Sequence, residues 1–190
     1  MENLEQKEID RYWSDGAENY SWIIDDELSS FRVKKWTKKI TENIFSSQKP
    51  KILDAGCGPG FFTIILNQAC METVGIDGAE KMLQEARLKA ARLGLAPVFR
   101  KMDCHQLDFA DNTFDAVISR NLTHTLRDHK KVYKEWLRVL KPGGTLLIFD
   151  ANWHLTECDE KLRTESLKRR EECIRLYGDA FDKKSNLKDT

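Results

Sequence analysis

The sequence predicts a doubly wound α/β fold, with a mainly parallel sheet of about five strands, helices before it and a helical extension after it. Three observations predict it. A short apolar run, residues 51–53, leads into Asp54, then glycines at alternate positions, Gly56, Gly58 and Gly60, then the apolar segment 61–66. A second apolar run, 72–77, again ends in an acid, Asp77, about 20 residues beyond the glycine loop. From there to Phe149, strand-like runs alternate with apolar stripes at helical spacing. Strand, glycine loop, helix is the opening unit of a Rossmann-like nucleotide-binding fold.

Spacing within the loop narrows the ligand. Glycine lets the chain turn sharply and lets a ligand approach where a Cβ would clash. Backbone N–H groups at the start of the next helix attract a ligand's negative end. A dinucleotide loop reads G-x-G-x-x-G, its last glycine allowing close helix–strand packing. Here the motif is G-x-G-x-G, and Phe61 occupies that last position. Asp54 puts a carboxylate where a pyrophosphate would be repelled; a cation such as an amino group suits it better.

Length and composition set the bounds. At 190 residues the chain is long enough to bury a core of its own. Its 31 basic and 31 acidic residues cancel, so it lacks the basic excess of a general nucleic-acid or membrane-surface binder. No run approaches the ~20 apolar residues of a membrane span. The polar first residues lack the apolar stretch of a signal peptide, and a cytoplasmic location is expected. Cys57, Cys70, Cys104, Cys158 and Cys173 form no C-x-x-C pair, which reads as reduced thiols. Cys104-His105 has no metal-ligand spacing around it, so no metal site is expected. Three regions are expected: a helical cap over 1–45, a ligand-binding core over 46–154 and a charged helical extension over 155–190.

The elements follow in order. Before the first strand the chain reads as helical, with Tyr12, Trp13 and Tyr20 in a polar segment. Val33, Trp36, Ile40 and Ile44 then recur at helical spacing, with Lys34, Lys35, Lys38 and Lys39 mostly on other faces. After the second strand Gly78 opens a helix striped by Met82, Leu83, Ala86, Ala90 and Leu93; Gly94 ends it and Pro97 prevents its continuation. A third strand over 98–102 precedes Asp103 and Cys104, and a fourth over 116–119 precedes Arg120 and Asn121. Asp128 is placed to cap a helix lined by Val132, Tyr133, Trp136, Leu137 and Leu140. That helix ends over 138–144, and 145–149 is a fifth strand. Residues 157–177 read as a long charged helix and the tail after 182 as loose.

The glycine loop, Asp77, Asp103 and the Leu140-Lys-Pro-Gly-Gly144 passage together resemble the class I S-adenosylmethionine-dependent methyltransferases, specifically the small-molecule, methyltransferase-domain-11-like group. The resemblance runs from Tyr12 to Trp153. It implies S-adenosyl-L-methionine as cofactor and a role for each matching residue. Asp54, Ala55, Gly56, Gly58 and Gly60 would hold the methionine part, and Asp77 with Gly78 the ribose. Met82 would lie against the adenine, Asp103 would accept from its exocyclic amine, and the Cys104 N–H would donate to a ring nitrogen. Tyr20 would cover the methionine end, and backbone carbonyls near Arg120 and Asn121 would hold its amino group. His124 and Thr125 would face the methyl group or the acceptor, which makes His124 and Asn121 the catalytic candidates. Asn152, Trp153 and His154 would line the acceptor pocket. The residues alone also admit plainer roles: Tyr20 and Met82 as core, Asp103 as a turn cap, His124 as a structural hydrogen-bonder, Trp153 as packing on the sheet.

Methyl transfer from a sulfonium is an in-line displacement in which positioning supplies ~7–11 kcal/mol, and a base is needed only where the nucleophile must lose a proton. No catalytic triad is therefore required. The Asn/Asp-Pro-Pro-aromatic motif of amino-directed nucleic-acid methylases is replaced by Arg120-Asn-Leu, and the Pro-Cys nucleophile of cytosine-carbon methylases is missing. A small-molecule acceptor is expected, with no nucleic-acid or membrane partner; oligomeric state has no signature. The sequence departs from the family after Phe149, where a complete class I domain adds an antiparallel pair of strands and no strand is expected here. That leaves either a shortened chain or a pocket closed by another molecule. The rival readings are a nicotinamide-dependent oxidoreductase, disfavoured by Phe61 and Asp54, and a non-catalytic cofactor- or partner-binding domain.

Overall fold

The computed structural model describes residues 4–44, 49–152 and 155–177. The chain divides into two compact units, residues 1–150 and 151–190. The first begins with three helices, α1 (Leu4–Asp15), α2 (Ala17–Leu28) and α3 (Arg32–Thr41). Then β1 (Lys51–Ala55), α4 (Phe61–Gln68), β2 (Glu72–Asp77), α5 (Glu80–Arg92), β3 (Val98–Lys101), β4 (Phe114–Arg120), α6 (His129–Val139) and β5 (Leu140–Phe149) alternate, with a 3-10 turn at Thr123–Thr125. The second unit contains α7 (Leu155–Cys158) and α8 (Glu160–Tyr177). Among the described residues no strand follows Phe149, and no helix is long and apolar enough to cross a membrane.

All five strands pair in parallel, in the order β3-β2-β1-β4-β5. Strand order reverses between β1 and β4, so the crevice for a ligand opens beyond the carboxyl ends of those two strands. The central strands are buried on both faces, which is why they read as continuous apolar runs. On one face Ile52, Ala116 and Ile118 pack against Phe61, Phe62 and Ile65 of α4, with Ile24 of α2 and Ile40 of α3. On the other, Leu53 and Val117 pack against Val132, Trp136 and Val139 of α6. Asp128 caps α6 as its sequence predicts, accepting the Lys131 N–H at 3.0 Å.

The fifth strand begins earlier than its sequence predicts. Leu140 pairs with Phe114, and an irregularity follows before Ala116 pairs with Thr145. Pro142 and Gly143 sit in that irregular stretch, Gly143 at φ +78°. A strand at this edge accommodates a proline without breaking a ladder on both sides. The expected single charged helix of the second unit is instead two, broken at Asp159, which caps α8 by accepting the N–H groups of Lys161 and Leu162.

Candidate functional site

The glycine loop closes tightly between β1 and α4. Gly56, Gly58 and Gly60 all have positive φ, a conformation side chains resist. Gly60 (φ +86°) caps α4, and a Cβ there would lie 2.9 Å from the Ala86 Cβ and 3.1 Å from the Phe99 ring. Its bareness is what allows α4 to start flush against α5 and β3. Gly56 and Gly58 line a cleft over the reversal point, whereas Gly60 and the buried Ala55 lie behind it.

Two carboxylates brace this loop. Asp54 is buried on β1, and its Oδ2 accepts from the Thr63 backbone N–H (2.9 Å) and hydroxyl (2.7 Å), pinning the first turn of α4. Burial pushes its pKa up to about 7, against the pull of those Thr63 bonds. Asp77 ends β2. Its Oδ2 accepts the Gly58 N–H and its Oδ1 the Ala79 N–H, both at 2.9 Å. Burial raises its pKa to about 6, and the nearby Asp10 carboxylate of α1 pushes the same way. Both acids reach the cleft. The Gly78 N–H also pulls on the Asp77 carboxylate, so three backbone groups hold it in place.

The edge of the cleft beyond β3 is a polar cluster. Asp103 Oδ1 accepts from the His105 backbone N–H (2.9 Å) and ring Nδ1 (2.6 Å), while Oδ2 takes Arg127 Nη2 at 2.6 Å. Arg127 Nε donates to Gln6 Oε1 of α1 at 2.7 Å, and Gln6 Nε2 donates to Asp10 at 2.7 Å. The thiols of Cys57 and Cys104 are buried here, and burial raises the pKa of both. Met82 is likewise buried, touching Ala17 and Ala79 while lining the cleft, so its core and lining roles coincide. Gly78 also lines it, with the Asp10 carboxylate against its bare face.

At the opposite end, Arg120 leaves β4 and forms a fork on Glu27 of α2, two bonds of 2.8 Å. Its guanidinium lies over the rings of Trp36, Phe61 and Phe62. Asn121 follows at φ +54°, a left-handed conformation uncommon outside glycine, with its N–H bonded to the Phe149 carbonyl at 2.9 Å. Tyr20 lies beside Gly58 and edge-on to Trp13.

Of the residues singled out by sequence, the structure brings Tyr20, Asp54, Gly56, Gly58, Asp77 and Gly78 to one cleft. Met82, Asp103, Cys104, Arg120 and Asn121 join them there. His124 does not line it; its Nδ1 lies 3.5 Å from Asp150, whose carboxylate also accepts from Thr123. Thr125 does line it. Trp153 and His154 lie outside the described residues, and the Asn152 carbonyl accepts the Leu155 N–H. Sequence reasoning missed Gln6, Asp10, Glu27, His105 and Arg127; a polar residue on a cap helix, such as Gln6, carries no mark of a partner up to 121 residues away. Only His105, beside Asp103 and Cys104, sat next to a flagged pair.

The sequence matches the family described as a methyltransferase domain over residues 53–148, about half of the chain. It is 33% identical over 129 residues to a phosphatidylethanolamine N-methyltransferase of Cereibacter sphaeroides, covering 67% of this chain and 63% of that one. The chain spans less than two-thirds of the length of the curated relatives it matches first. Among solved structures, a SAM-dependent methyltransferase from Aquifex aeolicus superposes with a TM-score of 0.53 at 27% identity, over 62% of this chain and 70% of that one. A protein from Methanococcus maripaludis reaches a TM-score of 0.66 over 85% of this chain and 74% of that one; at 21% identity that likeness speaks to the fold alone.

Proposed function

The chain belongs to the methyltransferase-domain family, and from that premise we propose that it transfers a methyl group from S-adenosyl-L-methionine to a small-molecule acceptor in the cytoplasm. The observation that carries this reading is Asp77. Its carboxylate stands at the end of β2 on the cleft, fixed by the N–H groups of Gly58 and Ala79 with a further pull from that of Gly78. A ribose diol supplies hydroxyl donors to such a carboxylate. A 2′-phosphate or a pyrophosphate at the same place would meet a negative charge.

The other cleft residues fit the same group. Asp103 accepts the adenine amine, the Cys104 N–H serves a ring nitrogen, and Met82 lies along the ring as a flexible apolar contact. Gly56 and Gly58 border the methionine part, Gly56 with Leu122 against its bare face, while Gly60 and Ala55 shape the loop from behind and Gly78 borders the ribose beside the Asp10 carboxylate. Asp54 acts on the amino end chiefly by holding the start of α4 through Thr63. Tyr20 covers that end, and the backbone at Arg120 and Asn121 holds the amino group. The cofactor supplies an electrophilic methyl on sulfur; the chain's own residues fix it and exclude water around it.

Asn121 borders the cleft in a strained conformation, which makes it the favoured catalytic candidate for orienting the acceptor. His124 acts at one remove, with Asp150. The relative from Cereibacter is named for an N-methylation of an ethanolamine lipid, and an amine is the acceptor class to try first. The same reading assigns residues 1–45 to a cap, 46–154 to the cofactor-binding core and 155–190 to a helical extension. Incubating the chain with methyl-labelled S-adenosyl-L-methionine and phosphoethanolamine, ethanolamine-lipid vesicles or a metabolite extract tests it. Labelled product supports the proposal. Tight binding of S-adenosyl-L-homocysteine with no product in any mixture would make the chain a binding module, and tight binding of NADH instead would replace the cofactor.

A further inference from the structure

Resting on the assignment of Asp103 to the adenine amine, we propose that His105 and Arg127 are positioning residues that make Asp103 an amine-only reader. The site then takes a 6-aminopurine and refuses a 6-oxopurine. The ring of His105 fixes the first half of the arrangement. Its Nε2 accepts the Asp128 backbone N–H at 3.1 Å, so the proton of the neutral imidazole sits on Nδ1. Nδ1–H therefore donates to Asp103 Oδ1 at 2.6 Å, beside the His105 backbone N–H at 2.9 Å. Both acceptor directions of Oδ1 are taken.

Arg127 fixes the second half. With a proton on Nδ1, the 3.1 Å approach of Arg127 Nη2 to that nitrogen is a contact only. The guanidinium donates instead to Asp103 Oδ2 at 2.6 Å, and it is steadied from the far side by Gln6 at 2.7 Å. An ionised carboxylate offers about four acceptor directions, and three are occupied. One remains, on Oδ2, in a side chain 36% exposed on the cleft.

Selectivity at the exocyclic group follows from that single vacancy, beside whatever the Cys104 N–H contributes at the ring nitrogen in every variant alike. An exocyclic amine supplies the donor it requires. A carbonyl oxygen at the same ring position meets a carboxylate instead. A 6-oxopurine also carries a proton on the adjacent ring nitrogen, and a carboxylate free to swing could accept it. Asp103 is not free to swing, because turning it breaks bonds to a histidine that is 4% exposed and to an arginine tied to α1. A cluster that merely held the fold together would weaken both ligands alike.

Calorimetry of the full chain with S-adenosyl-L-homocysteine and S-inosyl-L-homocysteine tests this in wild type, His105→Asn, His105→Leu and Arg127→Met, each checked for fold by circular dichroism. Wild type is expected to prefer the adenosyl ligand by about thirtyfold or more. His105→Asn, whose amide nitrogen takes the place of Nδ1, keeps that preference within about threefold, while His105→Leu and Arg127→Met each reduce it by about fivefold or more. If His105→Leu does not fold, the other two variants carry the comparison. Equal losses for both ligands in Arg127→Met, or a preference in His105→Asn as low as in Arg127→Met, overturn the proposal. Wild type that binds both ligands equally also overturns it and leaves the cofactor reading standing. Wild type that binds neither ligand refutes the cofactor reading, and this inference with it.

Discussion

Arg120 at the end of β4 grips Glu27 of α2 with both arms of its guanidinium, 2.8 Å each, although the two residues are 93 positions apart. Glu27 is buried and Arg120 half-buried, against the rings of Trp36, Phe61 and Phe62. The pair joins the helical cap to the sheet at the mouth of the cleft. A buried pair of this kind contributes little over an apolar replacement, but breaking one half leaves a charge stranded.

Glu27→Ala is therefore expected to destabilise the fold by about 3 kcal/mol, and Glu27→Leu with Arg120→Met to recover most of that loss. Urea denaturation of the three proteins checks it. A double variant as unstable as the single one would show that the pair is worth more than its desolvation.

Asp77→Asn is expected to weaken S-adenosyl-L-homocysteine by about 1.5–3 kcal/mol, because a charge-assisted acceptor for two hydroxyls becomes a neutral amide. Calorimetry measures it. Unchanged affinity would mean that the ribose lies elsewhere.

The same residue sets a pH dependence. Burial holds the Asp77 pKa at about 6, above its ordinary range, and a diol donates more strongly to the ionised form. Affinity should fall as pH drops below about 6, and Asp77→Asn should flatten that profile. Titrations between pH 5 and 8 provide the check, as roughly one pKa unit either side of the transition covers most of the change.

Asp54 carries the stability counterpart. Its folded pKa of about 7 lies above the unfolded value of 3.8, so the folded state binds the extra proton. Its contribution is most favourable below the unfolded pKa and is lost as pH rises through the folded one, between about 4 and 7. Asp54→Asn keeps an acceptor for Thr63 and removes the titration, so the variant should lose less stability than wild type across that window. Denaturation midpoints against pH compare the two.

Gly60→Ala should destabilise the chain by about 2–4 kcal/mol, from a left-handed backbone and a Cβ too near Ala86. Thermal unfolding reads the loss. The bare position matters to packing more than to ligand contact, since Gly60 does not line the cleft.

The fold was legible because its signals are local. A buried parallel strand is a short apolar run, and a helix on a sheet is a stripe, so each element announces itself within a dozen residues. The start of β5 was not, because Leu140 to Gly144 reads as a helix end and a turn, and only pairing with Phe114 draws it into the sheet. His124 shows the same limit at the site. It follows β4 closely, yet the 3-10 turn aims it at Asp150, while Arg127, three residues on, bonds Asp103 at the cleft's edge.

By itself the sequence determined the α/β class, the five strands and the loop-and-acid positions along the cleft, because these depend on spacing within single strand–helix units. Only the tertiary structure decided which distant polar groups meet around the cleft: Glu27 with Arg120 and Gln6 with Arg127. Those pairings depend on how cap helices pack on a distant sheet edge, and a single polar residue carries no period from which its partner can be read.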